Sequence, residues 1–232
     1  MNNSYKKFAY YYDEVISRVD YRDWYYFVLP YLNKGDKILD LACGTGTFLS
    51  MISMDGYTTY GSDLSEEIIE IAKEKAKINH FDIDFRVEDM TNFKYDFKFD
   101  VITCFFDSVN FLKSKNDIKK LLDSVYHNLK DGGYFIFDIF SKTMMNEYDN
   151  SILEEDYETF KIKWLSKIDD NKLIHDITIY EDEDEIKEKY YEYYYDIKDF
   201  KDKRFELIKL SGDFNDDLED EDERILFVLK KI

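Results

Sequence analysis

Four carboxylates stand in equivalent places, each just beyond or inside the end of a short apolar run. Asp40 falls in Ile38–Leu41, Asp63 follows Tyr57–Ser62, Asp89 follows Ile83–Val87, and Asp107 follows Phe99–Phe105. Between the first two lies Ala42-Cys43-Gly44-Thr45-Gly46, and an amphipathic run, TFLSMIS, opens at once. Glycine at 44 and 46 lets the backbone turn through φ > 0 and approach a bound molecule closely. The dinucleotide fingerprint wants a third glycine, but Leu49 stands there. The acid at Asp40 also argues against a pyrophosphate, since like charges repel, and suits a cationic ligand. Asp63 comes ~20 residues after the first glycine, where a carboxylate can accept from both hydroxyls of a ribose. The bland alternatives are an ordinary strand-to-helix turn for the glycines and a cap or solvated turn for Asp63.

These acids must be carried by elements. Apolar runs at Ile38–Leu41, Tyr57–Ser62, Ile83–Val87, Phe99–Phe105 and Tyr134–Ile139 alternate with helical patterns. Ser65-Glu66-Glu67 is a capped helix start, and Asp131-Gly132-Gly133 is a glycine stop after a helix over about 116–129. Alternating strands and helices predict a doubly wound, mostly parallel sheet. Right-handed crossovers then gather Asp40, Cys43, Asp63, Asp89 and Asp107 on one rim. Ahead of the first strand, Phe8, Tyr11, Tyr12, Val15, Tyr21, Trp24 and Val28 recur at helical spacing, either as packing against the sheet or as a roof over the rim. From about 154 the period changes to two. Phe160, Ile162 and Trp164, then Leu173, His175, Ile177 and Ile179, alternate around Asp169-Asp170-Asn171, and KYYEYYY over 189–195 extends the pattern. This predicts a small antiparallel sheet over about 142–198, either covering the rim, forming a dimer surface, or decorating an edge. Strands over 205–214 and 224–230 complete a seven-stranded α/β sheet, and the charge run Leu218–Arg224 between them reads as a solvated turn. The expected divisions are a helical cap over 1–36, a ligand-binding core over 37–141, the inserted sheet over 142–198, and two final strands over 199–232.

Composition narrows the partners. With 51 acidic and 32 basic residues the formal charge is −19, which disfavours nucleic acid and anionic membranes. No signal segment opens the chain and no apolar run approaches ~18 residues, so a cytoplasmic protein is expected. Its two cysteines, Cys43 and Cys104, make no disulfide framework and are expected to be reduced, packed thiols. No metal-binding spacing occurs, so no metal is expected.

In order and spacing, KFAYYYDEV with DYRDW, DLACGTG, YGSDLS, VEDM, FDVITCFFDSVNFL and LKDGGYFIFDI resemble the class I S-adenosylmethionine-dependent methyltransferases. The likeness is to the small-molecule branch with an extra antiparallel sheet after the fifth strand of a Rossmann-like fold. That resemblance implies S-adenosylmethionine as cofactor, S-adenosylhomocysteine as product, and a small-molecule acceptor. It places Ala42–Gly46, including Cys43, under the methionine and ribose, with Asp40 supporting the loop and the amino group. Asp63 would take the ribose hydroxyls, Leu64 would pack on adenine, and Asp89 would accept from the adenine amino group beside Met90. Cys104 and Phe105 would face the methionine moiety, covered by Tyr12 and Trp24. Asp107 and Ser108 would look toward the acceptor, with Asp107 the first candidate base and His175 the second. Carboxylates and aromatic faces suit a sulfonium. A helix usual in the family before the sixth strand is reduced here to Asp196–Arg204, without its glycine. Three rivals stand beside this reading: a nicotinamide-dependent dehydrogenase, a cofactor-binding module or partner subunit without turnover, and a nucleic-acid methyltransferase. The last would need an Asn/Asp-Pro-Pro-aromatic string where Cys104-Phe-Phe-Asp107 stands.

Overall fold

The computed structural model describes residues 8–232; the first seven residues of the expected cap lie outside the described residues. Short helices α1 (Tyr12–Val15) and α2 (Arg22–Val28) precede β1 (Lys37–Leu41), α3 (Thr47–Met54), β2 (Thr58–Asp63), α4 (Glu66–Ile78) and β3 (Ile83–Val87). Then come β4 (Phe99–Cys104), α5 (Lys115–Asn128), β5 (Leu129–Phe140) and α6 (Lys142–Glu147). Four strands follow, β6 (Ser151–Asp156), β7 (Lys161–Asp169), β8 (Lys172–Glu181) and β9 (Asp184–Tyr193), before β10 (Phe205–Gly212) and β11 (Arg224–Lys231).

The main sheet has seven strands in the order β10-β11-β5-β4-β1-β2-β3. The five from β5 to β3 run parallel, and β11 is antiparallel to both β5 and β10. Strands at its centre are covered on both faces, so β1 and β4 are apolar and buried almost throughout. Leu39, Phe99, Ile102, Leu121 and Phe137 fill one side, and Val28, Ile38, Phe48, Ile136 and Val228 fill the other. Helix α4 begins as its sequence dictates, the Ser65 hydroxyl accepting from the Ile68 N–H at 3.2 Å with Glu66 and Glu67 in the first turn.

The inserted sheet is antiparallel, as its period-two pattern requires, but has four strands, β6-β7-β8-β9. Strand β6 carries too little apolar alternation to announce itself: Leu153, Glu154 and Glu155 are followed by Asp156, and much of it is exposed. Its neighbours bury Phe160, Ile162, Ile177, Ile179 and Tyr190 against Phe8, with Tyr11, Tyr12 and Val15 packed alongside. Residues 8–15 therefore pack on the inserted sheet, whereas Trp24, Phe27 and Val28 pack on the main one. Between β9 and β10 there is one 3-10 turn, Ile197–Phe200, and a cavity of about 330 Å³ opens beside it over Phe200, Phe205, Phe227 and Leu229.

The run Leu218–Arg224 is not wholly the solvated turn its composition suggests. The Asp222 carboxylate folds inward to accept from the Glu219 N–H at 2.6 Å, over Gly212, where any side chain would collide with it. Arg224 opens β11 and is drawn to the rim. Because β11 runs opposite to β5, its first residue pairs with Phe140 at the end of β5, among the strand tips that carry the acids.

Candidate active site

The glycine bend is made of backbone that most side chains resist. Ala42, Gly44 and Gly46 have φ of 52°, 54° and 78°. A Cβ on Gly46 would lie 2.7 Å from the Phe85 ring, and one on Gly61 equally close, so both bare positions let β3 pack under the loop. The Cys43 N–H donates to the Ser62 carbonyl at 2.9 Å. The Gly44 N–H donates to Asp63 Oδ2 at 3.2 Å, while the Ser65 N–H donates to Oδ1 at 3.0 Å. Asp63 thus holds the loop through both of its carboxylate oxygens.

Asp40 lies buried beneath the loop and accepts from the Thr103 hydroxyl at 2.6 Å. Burial, reinforced by the Asp63 and Asp138 charges, pushes its carboxyl up to about 7 against the pull of Thr103. Burial likewise raises Asp63. Cys43 and Cys104 are free and buried, and desolvation drives both thiols well above their ordinary range, so neither is an activated nucleophile. Phe105 is buried edge-on to Phe48 with ring centres 5.1 Å apart. Tyr12 stands over the bend, its Cε1 3.6 Å from where a Gly44 side chain would begin. Its hydroxyl is raised by burial, with Tyr21, Asp63 and Asp107 adding to the effect. Farther along the rim Leu64 is 71% exposed, Met90 is half-buried against the core, and Asp89 accepts from the Thr91 N–H and hydroxyl at 2.8 and 2.7 Å.

Next to the bend the rim carries a buried ionic cluster. Phe106 and Asp107 turn through φ of 57° and 47°, strained for side chains of this size. That turn points the Asp107 carboxylate at Arg224, whose Nη1 donates to it at 2.7 Å and also to Asp138. Asp138 is fully buried in β5. Burial raises its carboxyl while the guanidinium pulls it back. Trp24, expected over the methionine end, packs here: it stacks on Phe106 at 4.2 Å, donates toward Asp138 at 3.4 Å, and lies 5.2 Å from the Arg224 guanidinium. Composition-based reading missed Asp138 and Arg224. A lone acid in the apolar string FIFDIF was the available signal, since a doubly covered strand tolerates an acid only with a partner.

His175 sits on β8, facing this cluster from the inserted sheet. Its Nδ1 lies 2.9 Å from the Trp164 indole nitrogen and 2.8 Å from the Ser166 hydroxyl. An indole N–H can only donate, so Nδ1 accepts and the ring carries its proton on Nε2. That nitrogen lies 3.4 Å from Glu192 Oε2. Held this way, His175 has no free lone pair, and the expectation that it serves as a base does not fit the hydrogen-bond pattern.

A model of the family described as a methyltransferase domain matches residues 38–133, from β1 into β5. The chain is 30% identical over 240 residues to YqeM of Bacillus subtilis, a protein named only as a methyltransferase, covering 98% of this chain and 97% of that one. The chain belongs to the class I S-adenosylmethionine-dependent methyltransferases. A second relative named only as a methyltransferase, from a Geobacillus strain, is 29% identical over 98% of this chain and the whole of its own. A solved S-adenosylmethionine-dependent methyltransferase from Clostridium acetobutylicum superimposes with a TM-score of 0.85 at 28% identity, covering 98% of each chain.

S-adenosylmethionine is accordingly the cofactor of this methyltransferase, and the rim fits it. The buried acids Asp40 and Asp63 flank the bend, and an exposed apolar Leu64 follows. The nearby ammonium of Lys75 is ion-paired to Asp13 and donates to Thr45 at 2.8 Å. Such a set suits a sulfonium nucleoside better than an anionic pyrophosphate.

Proposed function

We propose that the protein transfers the methyl group of S-adenosylmethionine to a small-molecule acceptor that enters between the rim and the inserted sheet. The supporting observation is the cluster of Asp107, Arg224 and Asp138, a buried polar wall beside the glycine bend and facing the second sheet. The cofactor supplies an activated methyl on a positively charged sulfur. Displacement at that carbon needs alignment and exclusion of water more than any one side chain. Ala42, Cys43, Gly44 and Gly46 would run along the methionine and ribose, with Asp40 beneath and Asp63 on the ribose hydroxyls. Leu64 and Met90 would hold adenine, and Asp89 its amino group. Tyr12, Cys104 and Phe105 would enclose the sulfur, Tyr12 from the cap side. Trp24 would act one step removed, by fixing Phe106 and Arg224. Asp107, anchored by Arg224, would orient the acceptor.

Calorimetry with S-adenosylmethionine and S-adenosylhomocysteine tests the first half: binding of both is expected, and Asp63→Ala should weaken both at least ~30-fold, about 2 kcal/mol for lost hydrogen bonds to a charged group. Labelled S-adenosylmethionine with a panel of small amines, alcohols and acids tests the second. Transfer to a panel member is the expected result; tight cofactor binding without transfer to any member would instead favour a cofactor-binding subunit.

A further inference from the structure

The ions at the cleft do not balance. Arg224 places one Nη atom on both Asp107 and Asp138, so its charge is shared between those two acids. Glu192, on β9, is the third carboxylate of the group and is only 9% exposed. It feels the Asp107 charge across the cleft, and burial together with that charge raises its carboxyl, opposed by His175 and Arg224. Its near neighbour His175 is itself buried, 3% exposed, and its Nε2 lies 3.4 Å from Glu192 without a close hydrogen bond to any group. The indole of Trp164 and the hydroxyl of Ser166 pin the other side of that ring, so Nε2 stays beside Glu192. Tyr148, just after α6, joins the two sides: its ring lies 6.3 Å from His175 and its hydroxyl is raised by burial and by Asp107 and Glu192.

The groups facing Glu192 are thus His175 from β8, Tyr148 from the end of α6, Asp107 from the turn after β4, and Arg224 from β11. Three carboxylates meet one guanidinium and one imidazole that carries no extra charge. A buried carboxylate without a counter-ion is costly, and the cost is relieved by a cation. Aromatic faces at Tyr148 and Trp164 favour the same kind of guest.

We propose that the acceptor is an amine that binds in its ammonium form, that Glu192 is its counter-charge and takes its proton before the freed nitrogen attacks the methyl carbon as the sulfur–methyl bond breaks, and that His175 is the positioning residue that orients the Glu192 carboxylate. This rests on the methyltransferase reading and adds the substrate class. It also explains why a histidine that cannot serve as a base is so firmly held: its work is to aim the carboxylate.

Benzylammonium, benzyl alcohol and benzoate titrated into protein saturated with S-adenosylhomocysteine test it. Benzylammonium is expected to bind and benzoate not, with benzyl alcohol at least tenfold weaker than the cation. Glu192→Gln should weaken benzylammonium tenfold or more at unchanged S-adenosylhomocysteine affinity. Asp216→Asn, which alters a fully solvated acid, should change nothing and controls for the acidic surface. In spectra of ¹⁵N-histidine-labelled protein, the His175 Nε2 signal should move on adding benzylammonium to the wild type and stay still in Glu192→Gln. Folded Glu192→Gln, judged by an unchanged melting curve, that binds benzylammonium as the wild type does would overturn the proposal. So would equal binding of the three probes, or no binding of benzylammonium. If Glu192→Gln does not fold, the immobile His175 signal in wild type is the overturning result. Failure to bind S-adenosylhomocysteine at all would strike the methyltransferase reading instead.

Discussion

At the scale of single residues, the site is a set of acids held where acids are unstable. Asp40 is the clearest, because burial carries its carboxyl from 3.8 to about 7. The native state therefore binds this proton more tightly than the unfolded chain does. Between about pH 4 and pH 7 that difference makes stability fall as pH rises. Asp40→Asn keeps an oxygen to accept from Thr103 and cannot ionise. In denaturant titrations of the cofactor-free protein it should match the wild type near pH 4 and exceed it at pH 8 by on the order of 2 kcal/mol. Equal curves at both pH values would show that Asp40 is not a strained buried acid. Its place, and that of Asp63, were legible because a strand-ending acid beside glycines has a local signature. Asp138 and Arg224 carry no such signature. Their meaning comes from a pairing across 86 residues of chain, and only the antiparallel register of β11 with β5 brings them together.

At the scale of elements, the cap and the inserted sheet act as one body clasping the glycine bend. The Tyr11 hydroxyl donates to Glu181 at 2.6 Å, the Phe8 N–H to Glu188 at 3.1 Å, and Arg18 pairs with Glu155 at 2.7 Å, all on the second sheet. On its other side Asp13 binds the Thr45 hydroxyl and the Lys75 ammonium, joining α1 to the loop and to α4. The Asp13–Lys75 pair is half-exposed, so it contributes little to global stability. It should matter more to how often the cap lifts. Asp13→Asn with Lys75→Met is expected to cost under about 1 kcal/mol in unfolding. It should nevertheless raise hydrogen exchange across residues 8–21 and speed S-adenosylhomocysteine release several-fold in stopped-flow. Unchanged exchange would mean the clasp does not depend on this link. The aromatic spacing made the cap visible as helix, yet periodicity could not say which sheet it would join. That choice was made by contacts with Phe160, Ile162 and Tyr190, more than a hundred residues away.

At the scale of the whole molecule, one property acts in opposite directions on folding and on binding. A formal charge of −19 makes the folded surface repel itself, and added salt screens that repulsion. The exposed ion pairs weakened by screening, such as Lys161–Asp156, are worth little each. The melting temperature of the cofactor-free protein should therefore climb as NaCl is raised from about 20 to about 500 mM, over which the screening length falls from roughly 20 Å to roughly 4 Å. The same screening removes the field that draws a cation toward the rim. Benzylammonium should bind more weakly over that range, chiefly through a slower association rate, because long-range steering is a rate effect. S-adenosylhomocysteine, whose amino acid portion carries both signs, should change far less. Salt that stabilises the fold while weakening the cation and sparing the cofactor product would trace both effects to one charge. Salt that destabilised the fold instead would show that paired surface ions outweigh the net repulsion.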